Sequence, residues 1–117
     1  MRIVSMILAA AVAGPAHAQV QNLPPEQKKE FNEIAFSFVI ADECNKRHDQ
    51  PELFRKATDA FRKVAVKYDM PDAEASVDKA AKDIQEKPLE STSGFTMATK
   101  EACSKLDREL TDYLLKP

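Results

Sequence analysis

The chain predicts an all-α fold: a small four-helix bundle closed by one disulfide and preceded by a cleaved signal peptide. Three observations predict it. Apolar residues recur at three- and four-residue steps in four separate stretches, the period of one helix face. Prolines flanked by polar or acidic residues open three of those stretches, as in Asn22/Pro24/Pro25/Glu26, Asp49/Pro51/Glu52 and Asp69/Pro71/Asp72. Only two glycines occur in 117 residues, too few for the tight turns of a β-rich architecture or for phosphate-cradling glycine loops.

Residues 1–18 read as the signal peptide. Arg2 supplies a positive start, residues 3–13 form a short apolar run, and Ala16-His17-Ala18 is an A-x-A cleavage site. Cleavage after Ala18 would leave 19–117 as a single helical domain; an uncleaved anchor is the alternative. No lipobox cysteine follows the run, and no later stretch is long enough to span a bilayer. The expected location is the periplasm, with no stable membrane insertion after cleavage.

A domain of about a hundred residues builds one modest core and gains from a covalent staple. The chain has two cysteines, Cys44 and Cys103. In an exported protein two cysteines most simply pair with each other. Such a bridge would contribute on the order of 4 kcal/mol by constraining the unfolded chain. Two separate thiols are the alternative, although neither cysteine sits in a C-x-x-C motif.

The elements follow in order. Residues 19–23 form a short lead-in. The first helix is expected over 25–46, capped by Asn22, with Phe31, Ile34, Ala35, Phe38 and Ala41 inward and Val39, Ile40 and Cys44 widening the stripe. Lys46, Arg47 and His48 suit its carbonyl end. The second is expected over 51–68, capped by Asp49 with Glu52 reaching back. Its stripe is Leu53, Phe54, Ala57, Ala60, Phe61, Val64, Ala65 and Tyr68. Arg55, Lys56, Arg62, Lys63 and Lys67 form the most basic surface of the chain, read most simply as a solvated face and secondarily as a docking patch for an acidic partner. The third, over 71–85, turns the small residues Ala73, Val77, Ala80, Ala81 and Ile84 inward, which predicts a weakly held edge helix. A polar linker, 89–94, leads to the fourth helix, over 94–115, capped by Ser91 or Ser93. Phe95, Ala98, Ala102, Leu106, Leu110, Tyr113 and Leu114 line its face, and Cys103 borders it.

Residues that carry chemistry are few. The net charge is −2 with mixed signs, which argues against nucleic acid and anionic membranes as partners. His48 beside Asp49 and Cys44 matches no zinc spacing, so neither a metal site nor any other cofactor is expected. Cys44 and His48 are four residues apart, as a thiolate–imidazole pair would be. A cysteine consumed in a bridge is no nucleophile, however. The carboxylate pairs Asp42/Glu43, Asp107/Glu109 and Glu109/Asp112 read as solvated helix faces. Ser91, Ser93 and Ser104 lack a nucleophile context, and Met70 and Met97 read as core filler or loop anchors. The expectation is a non-enzymatic domain with no catalytic residue, acting through protein contacts. Ser91, Thr92, Ser93 and Gly94 are the candidate partner-binding residues, because a short polar loop on a rigid frame loses little entropy on docking.

The pattern resembles the periplasmic immunity proteins that neutralise peptidoglycan amidases delivered by type VI secretion. The resemblance lies in a cysteine in the first helix, within 36–45, the Ser91-Thr92-Ser93-Gly94 segment, and a Met97-to-Cys103 helix with Leu106 and Leu110 beyond. It implies an inhibitor whose loop enters the cleft of a secreted hydrolase, and a homodimer. Through Ala102-Cys103-Ser104 and a charged last helix, the chain is also similar to acid-stress chaperones of the HdeA type. A generic periplasmic adaptor is the third alternative.

Overall fold

The computed structural model describes residues 22–89 and 97–117. Among them are four helices and no strand: α1, Pro25–His48; α2, Pro51–Lys67; α3, Ala73–Glu86; and α4, Lys100–Leu115. The expected signal peptide, residues 1–18, lies outside the described residues. No helix among the described residues is long and apolar enough to cross a membrane.

Helix α2 is the hub and packs against all three others; α3 has no close backbone neighbour in α4. The hub position follows from its regular apolar stripe. Leu53, Phe54, Ala57, Ala60, Val64 and Ala65 are all buried. Ala57 and Ala60, with Ala41 of α1, are fully buried, and their small side chains let the backbones approach. Phe38 then packs against two rings of α2, with centroids 5.3 Å from Phe54 and 5.1 Å from Phe61. Phe31 meets the Phe61 edge at 5.7 Å. Leu106 and Leu110 of α4 complete the core, each contributing about 2 kcal/mol by burial. Helix α3 buries only Val77, with Ala80, Ala81 and Ile84 half-covered, in keeping with an edge position.

The caps of α1 and α2 and the start of α3 differ from expectation. Asn22 does not cap α1, and Asp49 does not cap α2; the N-cap residues are Pro24 and Gln50, without side-chain bonds. Asp49 instead ends α1: its φ is 53° and its N–H donates to the Asn45 carbonyl. Asp69 ends α2 in the same left-handed conformation, with φ 55°. Its N–H donates to the Val66 carbonyl at 3.1 Å, and the Met70 N–H to that of Ala65 at 3.0 Å, the Schellman pattern. Asp72, with φ 50°, occupies the N-cap position of α3, which therefore begins at Ala73 and not Pro71. With glycine nearly absent, aspartate serves the left-handed positions; the prolines follow because they cannot continue a finished helix.

Helix α4 starts at Lys100, later than expected, and neither Ser91 nor Ser93 is its N-cap residue. Thr99 is: its hydroxyl accepts the Ala102 N–H at 3.1 Å, and its carbonyl accepts that of Cys103 at 2.8 Å. Ala98, read as a helical core residue, is buried before the helix begins, and Met97 is exposed, not core filler. Val39 is also half-exposed and does not widen the α1 stripe.

Candidate functional site

Cys44 and Cys103 are bonded, with Cα atoms 6.1 Å apart and a sequence separation of 59. Both are fully buried, so Cys103 lies within the core face and does not merely border it. Cys44 is therefore no thiolate partner for His48.

The disulfide sits beside the last turn of α1, where two further side chains reach across the bundle. His48 Nε2 donates to the Ala98 carbonyl at 2.8 Å. The ring, in the last turn of its own helix as expected, thus also serves the entry to α4. Lys46 uses its ammonium three times: on the Ile84 carbonyl at 2.7 Å, the Lys87 carbonyl at 2.5 Å and Asp42 Oδ2 at 2.7 Å. Asp42 is 5% exposed, and its Oδ1 has no hydrogen-bond partner among the described residues. Lys87 precedes and Ala98 follows the segment that carries Ser91, Thr92, Ser93 and Gly94. Those four candidates lie outside the described residues. Both stems of their segment, however, are held by one helical turn next to the staple.

The basic surface of α2 is only in part a solvated face: Arg55 stays exposed and pairs within its own helix, whereas Lys56, Arg62, Lys63 and Lys67 bind groups on neighbouring helices. Lys56 binds Asp107 at 2.5 Å and Thr111 Oγ1 at 3.0 Å. Arg62 bridges Asp59 and Asp78. Lys63 donates to the carbonyls of Tyr113 and Lys116, both at 2.5 Å, and lies 4.7 Å from the Tyr113 ring centroid. Helices α3 and α4 have no basic residue in their own last turns. Each receives a cation from a neighbour, Lys46 for α3 and Lys63 for α4, which satisfies carbonyls the helix leaves open and complements its dipole.

At the far end of α1, Glu30 gathers three donors. The Tyr68 hydroxyl is 2.6 Å away, the Tyr113 hydroxyl 2.7 Å and Lys67 Nζ 3.2 Å. Burial pushes the Glu30 carboxyl up, but the two hydroxyls and the ammonium together hold it below the ordinary glutamate value. Burial and the Glu30 carboxylate in turn hold the Tyr113 phenol well above the ordinary tyrosine range. Helices α1 and α4 therefore run antiparallel and are tied twice, by the disulfide at one end and Glu30–Tyr113 at the other.

The remaining candidates do not converge. Asp107 is taken by Lys56, whereas Glu109 and Asp112 face solvent. Ser104 is exposed. Among the described residues no group of three or more His, Cys, Asp or Glu side chains is placed to hold a metal ion. Asp42, read with Glu43 as part of a solvated face, is instead buried, and sequence reasoning missed the ties of Lys46 and Glu30. Their cross-bundle partners are 37 or more residues away, and the partner of Asp42 is concealed in an ordinary i,i+4 charge pair. Compared with protein-family models, characterised proteins and solved structures, the chain shows no significant match.

Proposed function

We propose that the chain is an exported, non-enzymatic binding protein that inhibits a cognate secreted peptidoglycan-degrading enzyme, presenting Ser91, Thr92, Ser93 and Gly94 to it. One observation carries the reading: Lys46 and His48, on the same turn as each other and one turn from the disulfide, hold the backbone on both sides of that segment. A segment pinned at both stems loses less freedom on docking than one tethered to mobile ends, and that difference appears as affinity. Titration of the purified protein into a peptidoglycan amidase secreted by the same bacterial community tests the reading. Tight binding with loss of amidase activity, weakened by Thr92→Arg, is expected. Full amidase activity at saturating protein would contradict it.

A second reading, an acid-responsive periplasmic chaperone, is favoured by Glu30. This carboxylate joins α1, α2 and α4 through Tyr68, Lys67 and Tyr113, and protonating it would loosen all three. Protection of client proteins confined to about pH 2–3, with no stable hydrolase partner, distinguishes it.

A further inference from the structure

We propose a second docking surface, the groove between α1 and the C-terminal half of α4, which takes a cationic, amphipathic segment of a partner protein. It lies along the middle of α1, away from the disulfide, so it goes beyond the reading above and holds whether or not the partner is a hydrolase. The groove encloses about 510 Å³. Its floor is apolar: Ile34 and Leu110 are 8% and 2% exposed. One wall is Phe36, which is 51% exposed, whereas Phe31, Phe38, Phe54 and Phe61 all pack in or against the core. An aromatic left on the surface beside an apolar floor is the usual anchor of an interface.

Charge selects the occupant. Glu33, Glu109 and Asp112 border the groove against one ammonium, Lys116. Glu33 makes only a 4.0 Å pair with exposed Lys29. Glu109 and Asp112 form no close ion pair among the described residues, although Asp107 on the same helix is matched by Lys56. An aliphatic side chain seated against Phe36, flanked by lysine or arginine, would satisfy floor and rim together; an acidic segment would be repelled.

The test uses the purified chain and two short fluorescent peptides, one of leucine and lysine and one of leucine and glutamate, with binding followed by anisotropy. The lysine peptide binds and the glutamate peptide does not. Phe36→Ala weakens binding at least tenfold, as does the pair Glu109→Gln with Asp112→Asn. Glu74→Gln with Asp83→Asn, away from the groove, changes it less than twofold. Circular dichroism melts matching the parent show that the variants fold. Equal binding of both peptides, or equal loss in the Glu74/Asp83 variant, overturns the proposal. So does a Phe36-dependent dimer of the chain, or occupation of the groove by the chain's own N-terminal residues. A hydrolase bound with unchanged affinity by the groove variants, while the lysine peptide fails to bind, removes this proposal and leaves toxin inhibition standing. Peptide binding without hydrolase inhibition does the reverse.

Discussion

His48 Nε2 lies 2.8 Å from the carbonyl oxygen of Ala98, fifty residues further along the chain, so the last turn of α1 positions the backbone that leads into α4. Ala98 is followed directly by Thr99, whose hydroxyl and carbonyl take the first amides of that helix. Replacing His48 by alanine should cost about 1 kcal/mol and loosen this entry. Hydrogen exchange at the Ala102 and Cys103 amides is then expected to accelerate. Unchanged exchange at both would show that the ring does not hold the stem.

Among the described residues, Lys46 and Asp42 form the one tie in which a carboxylate is nearly sealed from water. Lys46→Met would leave that carboxylate buried without its cation, a loss of roughly 3–5 kcal/mol. Adding Asp42→Leu should recover much of it, because an apolar pair of similar volume does not pay for desolvation. Denaturant unfolding of the two single variants and the double variant measures the coupling. Additive losses would contradict it.

Glu30 gives the fold an acid limit. Its carboxyl is held below the ordinary value in the folded chain, so its contribution is complete above the unfolded value of about 4.3 and is lost as pH falls through the folded value. Glu30→Gln should lower stability near neutral pH by roughly 1–3 kcal/mol and flatten the stability curve on the acid side. A variant with the parent's acid dependence would locate the limit elsewhere.

The alkaline side has its own reporter. Tyr68 and Tyr113 are the only tyrosines, and the chain has no tryptophan. For Tyr68 the bond to Glu30, then burial, raises the phenol; for Tyr113 burial leads and Glu30 follows. Their contribution is complete below about pH 10, the unfolded value, and is lost as pH rises through the folded values. Ultraviolet absorbance titration should therefore show both phenols ionising late, together with loss of helix. Early ionisation of either would separate it from Glu30.

The left-handed aspartates predict an easy stabilisation. Asp49 and Asp69 close α1 and α2 at positive φ, and each places a carboxylate at the negative end of a helix dipole. Asp69→Gly should relieve both costs, by about 1 kcal/mol, and raise the melting temperature by roughly 4–8 °C. An unchanged or lower midpoint would contradict this account of the turn.

Much of the architecture was legible because it is local. The α2 stripe from Leu53 to Ala65 could be read from spacing alone, as could the edge position of α3 from its small residues. Asp49-Gln50-Pro51 and Asp69-Met70-Pro71 misled because aspartate before proline signals both the end of one helix and the start of the next. The chain uses them chiefly as ends, a reading the scarcity of glycine could have suggested. The site was harder to see. Lys46, His48, Lys63 and Glu30 look like ordinary surface charges until folding brings α3 and α4 against them, and no sequence period encodes a side chain that caps another helix.

The covalent closure of the bundle bears most directly on the account, since both stem anchors stand within one turn of it. Removing it by Cys103→Ser should cost about 4 kcal/mol. The most direct measurement is mass mapping of the purified, unreduced protein after alkylation without reductant. The account predicts no alkylated cysteine and one linked pair of peptides, containing Cys44 and Cys103. Both cysteines alkylated in the folded, unreduced protein would contradict it.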